Sequence, residues 1–582
     1  MPSSLIDADS ILAVDVGSST TRAILFDVVD GGYRFIAIGR SSSTAFAPYN
    51  SVDESFYTAV ENLQEITGRT FFSAKNELII PSQDGNGIDQ LVVTLSAGPA
   101  IRTAIVGLLN DVSLQSVNRL ARSTYARIVE SIGVNDRRKA EEQIDSLLQV
   151  EPELILMAGG TDGGATQSVR KILDIVGLAC HLMPLGKRPS VLFAGNQDVA
   201  DEVNTTLKPL TASVDISPNL RPTLDREDLQ PAARMLADVT IQIRKNNIGG
   251  LQELSSLSGG NLLPSAYAEG RLIRFMSKAY TSGKGVLGID LGASAATIAA
   301  GFNGELNLGV YPQFGLGEGV SNLLRYCSLE DITRWIPLEV PSSYVLDYIH
   351  HKSMYPNSIP ATLEDMAVEQ AIARQALRLA YSTLQKDIPV QFKCTSLGTP
   401  YFEPILVSGS AITDSTTIGQ GLLMVLDGIQ PVGTTTILFD KNHLLPGIGA
   451  AAANHVMLPV HLLESGAFQG VASLIVPHST ARPGMPILQG SLVTTTGVKT
   501  DFEAKQRTLD LIPFPVESSG TLSLKPLHHA DVGFGPGRSG EMRVSGTLLG
   551  LVIDARGRPL QLTRDDAHRR ELIKKWIWTL GG

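Results

Sequence analysis

The sequence is most informative first in what it lacks. Among 582 residues there are only three cysteines, Cys180, Cys327 and Cys394, far apart and in no CxxC spacing. That excludes a disulfide framework, a cysteine-built zinc site and an iron–sulfur ligand set, and it predicts free thiols in a reducing, cytoplasmic compartment. Aromatic residues make up 6% of the chain, and no basic run is interleaved with them. With a net charge of −10, this excludes a general nucleic-acid surface. No apolar run reaches the roughly 18–20 residues a membrane span needs, so no membrane segment is expected. MPSSLIDADS has no basic stretch leading into an apolar core, so no signal peptide is expected either.

Glycine is plentiful instead, at 55 residues, as suits an α/β chain rich in tight turns. The chain also says one thing twice. ILAVDVGSSTTRAILFD (residues 11–27) and VLGIDLGASAATIAAGF (residues 286–302) each run apolar into Asp-x-Gly, through small residues, and into a second apolar run. Each predicts two strands around a tight loop, followed by Asp30-Gly31 or Asn303-Gly304, strong hairpin signals that lead into a third strand. Helical spacing follows in both halves, at Val117, Leu120, Thr124 and Ile128 and at Val368, Ile372, Ala376 and Leu379. Ser113 or Ser116 is the expected cap of the first helix, and Thr362 with Asp365 a capping box for the second. Each half is then expected to return to a buried strand ending in glycines, PELILMAGGTDGG (152–164) in the first and EPILVSGSAITD (403–414) in the second. The pattern predicts a repeated domain: half I over 1–224, a helical connector over 225–284, half II over 285–480, and a separate β-rich region with a terminal helix over 481–582.

The doubled device has a physical use. A tight Gly-small-small turn presents backbone N–H groups as a nest for phosphate oxygens. The Asp before it holds Mg²⁺ through its waters. Two such turns facing one another would grip a polyphosphate from both sides, with Asp15 and Asp290 at the cation, Gly17, Ser18, Ser19 and Thr20 in one jaw, and Gly292, Ala293 and Ser294 in the other. Arg22 is placed to reach a phosphate.

These motifs resemble the actin, sugar-kinase and heat-shock-chaperone ATPase superfamily. DVGSST is similar to its first phosphate motif, DLGAS to its second and LVSGSAITD to its adenosine motif. The resemblance implies two RNase H-like (actin-like ATPase) domains around a nucleotide cleft, ATP and Mg²⁺ as ligands, and Gly409 and Ser410 facing the adenosine. More narrowly, LILMAGGTDGG, VLFAGN (191–196), ISPNLRPTLD (216–225) and FGLGEGVSN (314–322) resemble the glutamate mutase MutL family over roughly residues 11–460. That resemblance implies an ATP-dependent accessory, chaperone or reactivating factor for an adenosylcobalamin-dependent mutase.

The chain departs from the family where the second motif normally continues Thr-Thr-Asp. Here Ala293-Ser294-Ala295-Ala296-Thr297 supplies no second carboxylate. Positioning of an attacking water is worth several kcal/mol of barrier, so nucleotide binding is expected ahead of efficient hydrolysis. Two rivals follow: a non-hydrolysing scaffold or filament-like protein that self-associates, and a small-molecule kinase of the same fold. Asp162 reads equally as a ligand contact or a turn former, and Asn196 as a strand-end ligand or a helix cap.

Overall fold

The computed structural model describes residues 10–279 and 283–582. The first nine residues, and with them nearly all of the stretch read for a leader, lie outside the described residues.

Both predicted meanders form. In the first, β1 (Ser10–Val16), β2 (Thr20–Val29) and β3 (Gly32–Ser42) pair antiparallel in turn. Asp30 and Gly31 both take positive φ, 52° and 76°, the backbone twist a two-residue hairpin requires. After the helix Asp53–Thr67, the strand that returns beside β1, and parallel to it, is β4 (Gln90–Leu95).

The chain then leaves this sheet. β5 (Ile101–Val106), β6 (Ala126–Ile132), β7 (Leu154–Met157), β8 (Ser190–Phe193) and β9 (Ser213–Ile216) form a second, wholly parallel sheet in the order β6-β5-β7-β8-β9. It carries apolar clusters around Leu173 and Phe193 and around Leu120 and Leu236, as a doubly wound layer should. This corrects the reading of PELILMAGGTDGG as the return strand of half I. Leu154–Met157 lies in the middle of the inserted sheet, paired to β5 and β8. An apolar strand ending in glycines is common to any buried parallel strand, so pattern alone could not assign it to a sheet. The helix expected over 117–128 is also shorter. It spans Gln115–Ala121 with no side-chain cap, and Ile128 lies in β6.

The first sheet is completed by β10 (Leu262–Pro264), parallel to β4, from the segment expected to be a helical connector. The helix Ser265–Ala279 follows. The second meander repeats the first: β11 (Gly285–Leu291), β12 (Ala296–Phe302) and β13 (Glu305–Tyr311), with Asn303 and Gly304 at φ 51° and 84°. The helix Leu363–Asp387 carries the predicted capping box, Thr362 Oγ1 accepting from the Asp365 amide at 3.1 Å. β14 (Phe402–Ser408) and β15 (Gly433–Phe439) then add parallel to β11. The orders β3-β2-β1-β4-β10 and β13-β12-β11-β14-β15 match strand for strand, so the chain holds two RNase H-like units.

The C-terminal region is β-rich as expected, but it is woven into half II. β16 (Gln469–Val476) extends the half II sheet, antiparallel to β15, and β17 (Pro486–Thr494), β18 (Lys499–Lys505), β20 (Ser519–Pro526) and β21 (Gly540–Ser545) form a separate antiparallel sheet. β19 (Leu509–Ile512) and β22 (Leu551–Asp554) return to the edge of the half II sheet. A buried ion network fastens them there. Asp427 binds Arg374 at 2.9 Å and Arg556 at 2.8 Å, and Asp554 binds Arg556 and Arg558 at 2.9 and 2.7 Å. Arg556 also lies 4.6 Å over the Trp576 ring of the terminal helix Asp566–Thr579.

Two helices cross where the halves meet, Ser265–Ala279 and Leu444–Ala451. Leu444–Ala451 packs its apolar face on Ile11 and Ala13 of β1, and on Ile273 of the 265–279 helix. The crossing is close because Gly449 lies on the Ala268 carbonyl; a Cβ there would come within 1.8 Å of that oxygen.

Candidate functional site

The two Asp-x-Gly turns are built alike to the level of single hydrogen bonds. The Gly17 amide donates to the Thr20 carbonyl at 3.0 Å, and the Gly292 amide to the Ala295 carbonyl at 3.0 Å. Asp15 stands opposite Thr94 on β4, and Asp290 opposite Ser408 on β14. Closing each turn this way leaves the amides of Ser18, Ser19, Ala293 and Ser294 with no acceptor among the described residues. Ser18, Ala293 and Ser294 line one cleft of about 1500 Å³ between the halves. Arg102, Arg122, Arg127 and Arg325 line it as well, together with Glu153 and Glu318, and Arg102 is paired with Glu153. The loop after β13 seats the second turn. Leu316 N–H donates to the Gly292 carbonyl at 3.0 Å, and Gly317 N–H to that of Ala293 at 2.9 Å.

Behind the turns the carboxylates gather. Asp15 Oδ1 accepts from Thr94 Oγ1 at 2.7 Å and from Ser265 Oγ at 2.8 Å, and its other oxygen lies 3.7 Å from Arg22. Asp290 keeps a buried Oδ1 with no hydrogen-bond partner among the described residues. Burial first, then the charges of Asp15 and Asp440, push the Asp290 carboxyl up to about 7, against the pull of Arg22. Asp440 follows β15, and its two oxygens accept the Leu444 and Leu445 amides at 2.8 and 2.9 Å. Burial lifts it to about 6 even so. Glu269 is 2% exposed on the 265–279 helix, and burial with the charges of Asp290, Asp440 and Asp15 raises it well above the carboxylate range. His443 beside them is held neutral by burial, with Nδ1 3.1 Å from Ser408 Oγ. Sequence reasoning missed Glu269, Asp440 and His443. No motif marks them: Asp440 and His443 follow β15, and the 265–279 helix carries Glu269 to β11 beside Gly288.

Gly409 (φ 101°) backs onto the Leu291 carbonyl, where a Cβ would approach to 2.4 Å, so it permits close approach of β11 and β14. Ser410 is exposed at the start of the short helix Ser410–Thr413. Asn196 is fully buried and structural, capping Asp198 N–H at 3.0 Å and donating to the Gly164 carbonyl at 2.7 Å. Asp162 is exposed and accepts from Asn219 Nδ2 at 2.8 Å and from the Gln197 amide at 3.2 Å.

The donor set fits a polyphosphate with a water-shelled divalent cation. Free amides from two turns meet in one cleft, with an orphaned Ser18 hydroxyl beside them and an unpartnered Asp290 oxygen behind. Among the described residues no three His, Cys, Asp or Glu side chains converge closely enough to hold a bare metal ion. No helix among the described residues is long and apolar enough to cross a membrane.

The fold defines a protein built from two RNase H-like units. The match to known proteins is narrower: residues 11–466 match the MutL protein family, and the chain belongs to it. The protein MutL of Clostridium tetanomorphum is 22% identical over 300 residues, covering 51% of this chain and 59% of that relative's length. Among solved structures, component A of (R)-2-hydroxyglutaryl-CoA dehydratase from Acidaminococcus fermentans covers 77% of this chain and 99% of its own, at 8% identity and a TM-score of 0.25. A glycerol dehydratase reactivase covers 77% and 100%, at 10% identity and a TM-score of 0.29. At such scores these two likenesses are too low to bear on activity.

Proposed function

We propose that this protein binds ATP with Mg²⁺ between the two Asp-x-Gly turns and couples the closure of its halves to the remodelling of a partner enzyme. The observation that carries the reading is the matched pair of turns, each closed by the same hydrogen bond, with their spare amides lining one cleft. When bound, the nucleotide and its cation supply a concentrated negative charge and a hard Lewis acid between the halves. The amides of Ser18 and Ser19 would take phosphate oxygens from one side, and those of Ala293 and Ser294 from the other. Asp15 and Asp290 would orient the waters of the cation, with Arg22 damping their mutual repulsion. Gly409 and Ser410 are assigned to the adenosine side. Phosphate contacts made from both halves favour the closed arrangement only by their differential affinity for it.

The partner we propose is an adenosylcobalamin-dependent mutase, on the ground of family membership. The three free thiols suit a cytoplasmic setting. Turnover is expected to be slow, since the second turn offers Ala293, Ser294 and Ala295 where a carboxylate would help position water. The same observation favours, as a second reading, a nucleotide-binding scaffold that does not hydrolyse. Single-turnover hydrolysis, with and without an inactivated cobalamin mutase, separates the two. Phosphate release tied to recovered mutase activity supports the reactivating role, and binding without release supports the scaffold.

A further inference from the structure

The segment between the helix Gln115–Ala121 and β6 belongs to the inserted sheet unit, yet it reaches the surroundings of both turns. Its backbone is tied to the inserted sheet by the Ile101 amide, which donates to the Tyr125 carbonyl at 2.9 Å. It is tied to half II by the Val310 amide, which donates to the Arg122 carbonyl at 2.7 Å. Val310 in turn stands opposite Thr297 of β12, the residue that faces Asp290. Tyr125 itself is 5% exposed, and its hydroxyl accepts the Ala266 amide at 3.2 Å. That amide lies in the first turn of the 265–279 helix, where no carbonyl of the helix can take it. The residue before it is Ser265, whose hydroxyl donates to Asp15 at 2.8 Å. The Tyr125 ring shares a small buried cluster with Ala266, Val310 and Ala295, and the Ala295 carbonyl is the one that closes the second turn. Burial above all, and then the charges of Asp290 and Asp15, keep the hydroxyl protonated.

A position that needed only packing would be served by phenylalanine, because a buried phenol costs free energy unless its oxygen is bonded. The hydroxyl here adds one bond, and that bond fixes the turn of helix that sets Ser265 on Asp15. Ring and hydroxyl therefore serve different turns, the ring the second and the hydroxyl the first. We infer that Tyr125 is the positioning residue that couples the inserted sheet to the two Asp-x-Gly turns. The coupling itself is a property of the ligand-free chain, and only its use rests on the ATP reading. A nucleotide seated on both turns would hold Tyr125, and with it β5 and β6, in one position. Linkage makes the effect reciprocal, so a partner bound to the inserted unit would change nucleotide affinity by the same factor.

Two measurements on the full chain test it. Without nucleotide, urea unfolding of Tyr125→Phe, Asp15→Asn and the double variant closes a cycle, and the two changes should be non-additive by about fivefold in the unfolding equilibrium. With Mg²⁺ and ATP, amide exchange in β5 and β6 should slow about tenfold in the parent. Tyr125→Phe should lose that response and bind ATP about tenfold more weakly. Thr124→Val is the control. It removes a buried hydroxyl one residue away, 3.0 Å from that of Thr240, and should lower the melting temperature while keeping the response. An additive cycle, strands β5 and β6 that ignore bound ATP, a response kept in Tyr125→Phe, or one lost equally in Thr124→Val would overturn the proposal. If the parent binds no nucleotide, the ATP reading falls and the cycle alone decides the coupling.

Discussion

Arg22 faces Asp15 across the first hairpin, its guanidinium 3.7 Å from the carboxylate, whereas Thr297 faces Asp290 at the same register of the second. The repeat thus keeps the register at the two Asp residues and is unequal in charge. One cation serves Asp15, Asp290 and Asp440, all of which act on it electrostatically.

Replacing that cation should therefore destabilise the protein in a pH-dependent way. Arg22→Gln leaves the carboxylates uncompensated, and breaking such a buried pair costs about 3 kcal/mol. The loss should be larger at pH 8 than at pH 5, because Asp290 and Asp440 take up protons below about 7 and about 6. Thermal melts of parent and variant at the two pH values measure it.

Cation binding should follow the Asp290 proton. Its carboxyl is neutral below about 7, so Mg²⁺-dependent nucleotide binding should strengthen as pH rises towards that value and level off above it. The slope should approach a tenfold gain per pH unit, with proton release visible in calorimetry across buffers of different ionisation enthalpy. Asp290→Asn should flatten the profile. The ligand-free protein should respond the other way. Its native state binds this proton more tightly than the unfolded chain, so this contribution to stability is full below 3.8 and is lost as pH rises through about 7.

The crossing of the 265–279 and 444–451 helices should tolerate no added atom. Gly449→Ala puts a Cβ within 1.8 Å of the Ala268 carbonyl, and overpacking of this kind costs about 1–3 kcal/mol. Urea denaturation should report that loss. Nucleotide affinity should fall too, because the same helix carries the amides that fix Asp440.

The C-terminal region should prove integral to half II. Asp427→Asn removes the carboxylate charge paired with Arg374 and one of the two paired with Arg556, which keeps Asp554, and about 3 kcal/mol should be lost. Limited proteolysis around residue 480 would then release the C-terminal segment from the variant but not from the parent.

What the sequence disclosed and what it hid divide along range of interaction. Asp30-Gly31 and Asn303-Gly304 specify their hairpins locally, and the doubled Asp-x-Gly runs announced both jaws, because a turn is decided by the residues in it. The return strand QLVVTL of half I was overlooked because a long loop precedes it, and the inserted sheet offered a run of the same texture. Sheet membership is a matter of pairing partners far apart in sequence, which periodicity does not encode. Glu269 and Asp440 were hidden for the same reason, as single acids that meet only once a distant helix and strand end are brought together. The C-terminal strands were legible as strands, but their attachment depends on Asp427 and Arg374, more than a hundred residues upstream of Arg556.

The central claim is that the two turns are jaws on one nucleotide, and calorimetric titration with ATP and Mg²⁺ tests it most directly. The parent should bind one ATP per chain only with Mg²⁺ present, and Asp15→Ala should abolish the heat while keeping the parent's circular dichroism. No binding by the parent, or unchanged binding by Asp15→Ala, would contradict it and leave the doubled turn as architecture alone.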